Sequence, residues 1–170
     1  MNIELRDRLE AFEKLKKTWS PEHRRLYEVA GELIALFYLY GSHKAEISIA
    51  QVDDDPTHLE DATYKAESAA VNFCVKLGVF AYNVEAYEGR RCVAVIGSDI
   101  DRAVRKLAGM WAYMHYQGVS SYPVGYSKED AVTDLLEVYD VGRSALERRG
   151  VTPPMEKPKA LVDDANVSVD

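Results

Sequence analysis

The sequence predicts an α+β fold: a helix-rich single domain whose small antiparallel sheet is covered by helices, followed by an extended C-terminal tail. Three observations carry that expectation. Four segments open with helix-capping chemistry, two stretches alternate apolar and polar residues, and three of the six prolines lie beyond residue 150. The expected layout is one domain over 1–150, made of a helical hairpin over 1–41 and a βαββαα core over 42–150, with a Pro-rich extended tail over 151–170.

Leu5, Leu9, Phe12, Leu15 and Trp19 recur at intervals of three and four, the spacing of one helix face. Ser20-Pro21-Glu22 then supplies a capping hydroxyl, a proline suited to the first helical position and an acid in the first turn. A second helix is expected from there to about Tyr40, stopped by Gly41, and the short connection folds it back on the first. Ala45, Ile47 and Ile49 alternate against Glu46, Ser48 and Ala50, which predicts a strand near 45–51.

Ala62, Ala66, Ala69, Ala70, Phe73, Cys74 and Leu77 return to helical spacing and end at Gly78. Alanines at such positions let a helix lie close to its neighbour. From 79 to 96 the period becomes two again: Phe80, Tyr82 and Val84 share a face, Glu88-Gly89 marks a turn, and Cys92, Ala94 and Ile96 or Val93 and Val95 return, so a hairpin is expected. Ser98 opens another helix with Ile100, Val104, Leu107, Trp111 and Met114 on one stripe. A Gly- and Pro-containing loop follows over 118–126. Ser127 with Asp130 begins the last helix, which carries Val132, Leu135, Leu136, Tyr139 and Leu146.

Composition narrows the functional classes. The 170 residues carry a net charge of -7, which repels nucleic acid and anionic membranes. The longest apolar run, which takes in Ile34 to Tyr40, is far shorter than the ~20 residues of a membrane span. The first residues, MNIELRDRLEAFEKLKK, interrupt every apolar position with charge and contain no signal-peptide core, so a cytoplasmic location is expected. Cys74 and Cys92, the only two cysteines, form neither a CxxC pair nor a disulfide framework and read as small buried hydrophobes.

The stretch QVDDDPTHLEDA, residues 51–62, concentrates acids around a histidine. Asp53, Asp54, His58 and Asp61 are candidate ligands for a divalent ion, and a metal-dependent hydrolase or nuclease is the corresponding function. Their spacing matches no EF-hand loop. The capping reading uses the same residues differently: Asp55 caps a helix with Pro56 first, or Thr57 caps it with Glu60 reaching back.

Arg90, Arg91, Arg102, Arg105 and Lys106, near Phe80 and Tyr82, are candidate contacts for single-stranded nucleic acid. The alternative places Phe80 and Tyr82 on the buried face of a sheet. No HExxH, GxSxG or glycine-rich phosphate loop is present, and no cofactor is implied. The segment Ile34 to Tyr40 is apolar on every face, and tyrosines number eleven. Phe37, Tyr38, Tyr40, Tyr122 and Tyr126 are therefore the candidate interface residues. The expected function is a non-enzymatic protein-interaction or assembly component, of accessory or viral kind, partnered by itself or by another protein.

Overall fold

The computed structural model describes residues 2–88 and 97–151, and among them it contains five α-helices and no strand. Helix α1 spans Ile3–Lys16, α2 Pro21–Val52, α3 Pro56–Tyr87, α4 Gly97–Tyr116 and α5 Lys128–Arg148. The α+β expectation is overturned: the fold is all-helical, with α2 to α5 packed around one core.

The strand expected near 45–51 is the last part of α2, and the first half of the hairpin expected over 79–96 is the end of α3. Residues 89–96 lie outside the described residues, as do 152–170 of the expected tail. The physical reason is that six residues of alternation fit two periods at once. On α2, Leu33, Phe37, Tyr40, Ile47 and Ala50 continue one helical face inward, whereas Ala45 and Ile49 are exposed. On α3, Phe80, Ala81, Tyr82, Asn83, Val84 and Glu85 are all buried, because this stretch is covered around its whole circumference. A helix buried all round has no polar face to reveal its period.

Gly41 and Gly78 end nothing. Each costs a helix about 1 kcal/mol relative to alanine, a penalty that the long α2–α3 seam offsets. Both helices contain 32 residues, so each is about 48 Å long. They run antiparallel: Glu32 bridges Lys76 at 2.7 Å and Glu46 meets His58 at 2.9 Å. Buried Ala62, Ala66, Ala69 and Ala70 on α3 keep side-chain bulk out of its packed faces.

Helix α5 meets α3 backbone to backbone at Gly142. A methyl group added at Gly142 would come within 2.2 Å of the Ala70 carbonyl oxygen and 2.9 Å of Cys74 Cβ, so the two backbones touch here without side chains between them. Trp111, Phe73, Phe80, Leu26, Leu33, Leu77, Leu107 and Leu135 fill the core that α2 to α5 enclose. Helix α1 adds only Phe12 to it, tied to the bundle through the rings of Trp19 and Tyr27.

Several expected boundaries stand. Ser20 accepts from the His23 amide with Pro21 first in α2, and Ser127 and Asp130 form a reciprocal capping box at the start of α5. The stripe Ile100, Val104, Leu107, Trp111 and Met114 is buried in full. Beyond the end of α4, Gly118 closes the turn with a φ of +73° that suits glycine; its amide donates to His115 O at 2.8 Å and that of Val119 to Met114 O at 3.0 Å.

Candidate interaction surface

The acidic turn between α2 and α3 reverses the chain in three residues, and each aspartate has a different task. Asp53 caps the end of α2. Asp54 takes the left-handed conformation, φ 51°, and the Asp55 amide donates back to Ala50 O at 3.0 Å to close the turn. The Asp55 carboxylate then accepts from the His58 amide at 3.1 Å and caps α3, with Pro56 in the first turn.

The structure thus selects Asp55 over Thr57 as the cap. Of the metal candidates, His58 turns its Nε2 to Glu46 and Asp61 pairs with Lys65 at 2.9 Å, while Asp53 and Asp54 point to solvent. Among the described residues, no three His, Cys, Asp or Glu side chains converge in a way that would hold a metal ion.

The basic candidates are occupied by acids. Arg102 bridges Glu85 and Glu88 at the end of α3, and this pair offsets the burial of the Glu85 carboxylate. Arg105 binds Asp101 at 3.0 Å and Glu129 at 3.1 Å; these two hydrogen-bonded carboxylates hold its guanidinium pKa above the ordinary value. Lys106 lies 5.9 Å from the centre of the Tyr87 ring. Arg90 and Arg91 fall outside the described residues.

The aromatic candidates separate into two places. Phe37, Tyr38, Tyr122 and Tyr126 surround the buried Trp111 ring at 4.9 to 5.9 Å, mostly edge to face. The Ser121 carbonyl accepts from both Trp111 Nε1, at 2.9 Å, and the Tyr38 hydroxyl, while Tyr126 donates to the Asp134 carboxylate. Burial first, then the Asp134 contact, pushes the Tyr126 pKa far above its ordinary value. This cluster fastens the loop between α4 and α5 to α2. Tyr40 is buried elsewhere, beside Lys44 and Glu137. A second aromatic group, His23, Tyr27, Tyr87 and Tyr113, joins α2, α3 and α4, and His23 also stacks on Trp19.

One surface was touched in the sequence reading only through Tyr38 and the apolar run Ile34 to Tyr40. Between Gly31 and Val52, the charged residues of α2 all bind another helix: Glu32 to Lys76, Lys44 to Glu137 at 2.9 Å, and Glu46 to His58. What faces outward is uncharged. Ala35, Ser42 and Ile49 repeat every seven residues, as do Tyr38, Ala45 and Val52 three positions later, and all six are exposed. Tyr38 is 41% exposed, Ile49 47% and Val52 86%, with Leu39 beside them at 46%. That is the a/d spacing of a helix seam, turned to solvent. The signal in the sequence was the seven-residue period itself, hidden because small and polar residues fill half of its positions.

Cys74 is buried against α5, and burial raises its thiol pKa to about 11, so it is a protonated core side chain at neutral pH. Among the described residues, no helix is long and apolar enough to cross a membrane. Comparison of the chain with protein-family models, curated proteins and solved structures finds no match to any of them.

Proposed function

We propose that this chain is a non-enzymatic assembly component that works through protein–protein contact, as a homo-oligomer or as a subunit of a larger complex. The observation that supports this reading is the exposed face of α2, on which Leu39, Ile49 and Val52 meet water while Glu32, Lys44 and Glu46, the charged residues of α2 between Gly31 and Val52, are engaged within the chain. Apolar side chains lined up along a surface helix lose free energy when a partner covers them, at about 25 cal/mol per Å².

The other two expectations draw less from the structure. A metal-dependent hydrolase would use the acidic turn, whose Asp55 is engaged in capping α3. A nucleic-acid module would use Arg102 and Arg105, whose guanidinium groups bind carboxylates.

Light scattering on a size-exclusion column, comparing the full chain with one ending at Gly150, tests the proposal. An oligomer is the expected result, and dissociation of the shorter chain would assign residues 151–170 a part in assembly. A monomer at every concentration, together with failure to bind any other protein, would overturn it.

A further inference from the structure

Away from the α2 face, we infer that a groove along α5 is the seat of residues 153–163 of the same chain, which fold back over it as an extended strap. The groove has a volume of about 990 Å³ and runs from Thr133 to Arg148, about 22 Å of helix, with Leu136 and Val141 half-buried in its floor. Among the described residues, its whole lining belongs to α5. A small molecule would be gripped from one side only, whereas a length of polypeptide laid along the helix meets the entire trough.

The end of α5 delivers the chain to this groove. Gly150 takes a φ of +81°, its amide donates to Glu147 O at 3.0 Å, and the Val151 amide donates to Leu146 O at 2.9 Å. That pair of bonds turns the backbone off the helix axis just past Arg148, where the groove ends. Pro153, Pro154 and Pro158 then exclude a helix and favour extended chain at about 3.1 Å per residue, twice the rise of a helix. Each residue of the strap therefore passes two of α5. Running back from Arg148, residues 153–163 reach Lys128 at the start of the helix, about 30 Å in either count.

Charge selects the same alignment. With Pro153 level with Arg148, Glu156 comes beside Arg143, Lys157 over Asp140, Lys159 beside Glu137, and Asp163 with Asp164 at Lys128. Those are all the charged residues over 152–164, and each meets the opposite sign. On the helix side, Asp140 lies 3.6 Å from Arg143, Glu137 is held by Lys44 and Arg148 by Glu67. Lys128 and Glu147 have no ion-pair partner among the described residues; Lys128 gains one from the strap, and Glu147 faces the uncharged stretch Thr152 to Pro154. Sliding the strap by two residues sets Glu156 between Glu137 and Asp140 in one direction and against Glu147 in the other, so either slip brings like charges together.

Disulfide trapping on the full chain, in a Cys92→Ser background with Cys74 buried, tests this. Ser144→Cys with Met155→Cys is expected to close within one chain, shown by peptide mapping and by an unchanged mass on non-reducing electrophoresis. Tyr64→Cys with Met155→Cys is the control: Tyr64 is exposed on α3, one turn from the Glu67 that binds Arg148, and so lies near the end of α5 but outside the groove. The first pair is expected to close about tenfold faster than the second. Equal rates would overturn the strap, and a link between two chains would overturn the same-chain occupant and give the groove to a second copy. Asp140→Lys is expected to slow closure about threefold, and Lys157→Glu added to it to restore the rate. Closure indifferent to both would overturn the alignment. None of these outcomes depends on the light-scattering result for the assembly reading.

Discussion

The two ends of the α2–α3 pair are built on opposite terms. Toward the end of α3, residues Phe80 to Glu85 are enclosed on every side, and even a glutamate and an asparagine are buried there, held by Arg102 and by the Val79 carbonyl. Toward the turn, Ala50 and Ala62 are the side chains fully buried, and neither belongs to the main core; Ile49, Val52 and Tyr64 stand in water. The same pair of helices is thus a core element at one end and a two-helix projection at the other. Burial at the first end is satisfied within the chain, whereas the second end leaves apolar side chains in water.

The largest effect should come from the bundle half. Gly142→Val drives a branched side chain into the backbone of α3 and is expected to cost about 3 kcal/mol or more in urea unfolding, since neither backbone can retreat. A loss under 1 kcal/mol would show that α5 slides easily and that the seam is softer than its geometry.

Alkali should act on the same half. Burial raises the Cys74 thiol from 9.0 to about 11 and, with Tyr113 and Tyr87 nearby, the Tyr27 hydroxyl from 10.0 to about 12. Both groups stay protonated in the folded chain where the unfolded chain would release them. Their contribution is complete below pH 9 and is lost as pH rises through 11 and 12. Melting temperature is expected to fall over that window, and Cys74→Ala should shallow the first part of the fall.

Smaller effects belong to the turn. Asp55→Ala removes the acceptor for the His58 amide and is expected to cost about 1 kcal/mol, read by thermal unfolding. Asp54→Gly should act in the other direction by a few tenths of a kcal/mol, because glycine occupies a φ of 51° without crowding its own Cβ. If Asp54→Gly instead lowers stability while divalent ions raise it in the wild type, the acidic turn has a ligand after all.

Local chemistry was readable in the sequence and long-range cover was not. Ser20 with Pro21, Asp55 with Pro56 and Ser127 with Asp130 announce helix starts through contacts of three residues, and each is found in place. Ile100 through Met114 was readable because α4 is amphipathic, with one face in the core and the other in water. The end of α3 was not, since a segment covered on all sides carries no polar rhythm, and Phe80, Tyr82 and Val84 then pass for one face of a strand. Gly41 reads as a stop, yet its Cα faces open space and α2 simply continues through it. Of the candidate interface residues, Phe37, Tyr38, Tyr122 and Tyr126 do gather, around Trp111 of their own chain. Which aromatic rings meet depends on the loop after α4, and no local pattern encodes that.

The stacking of Trp19 on His23 has an optical consequence. The two rings lie 4.4 Å apart and within 12° of parallel. A neutral imidazole in that position leaves indole emission largely intact, while a protonated one withdraws excited-state electron density and dims it. Burial first, and the nearby Lys106 charge second, hold the His23 pKa below 6.5, so the dimming begins only in more acid solution than a free histidine would require. Trp111 is buried, hydrogen-bonded to a carbonyl and surrounded by Phe37 and tyrosine rings, so its emission is expected to change little over the same range. With two tryptophans in all, the protein contains its own gauge and its own standard: a falling signal that keeps its colour reports the proton on His23, and a red shift reports the opening of the bundle.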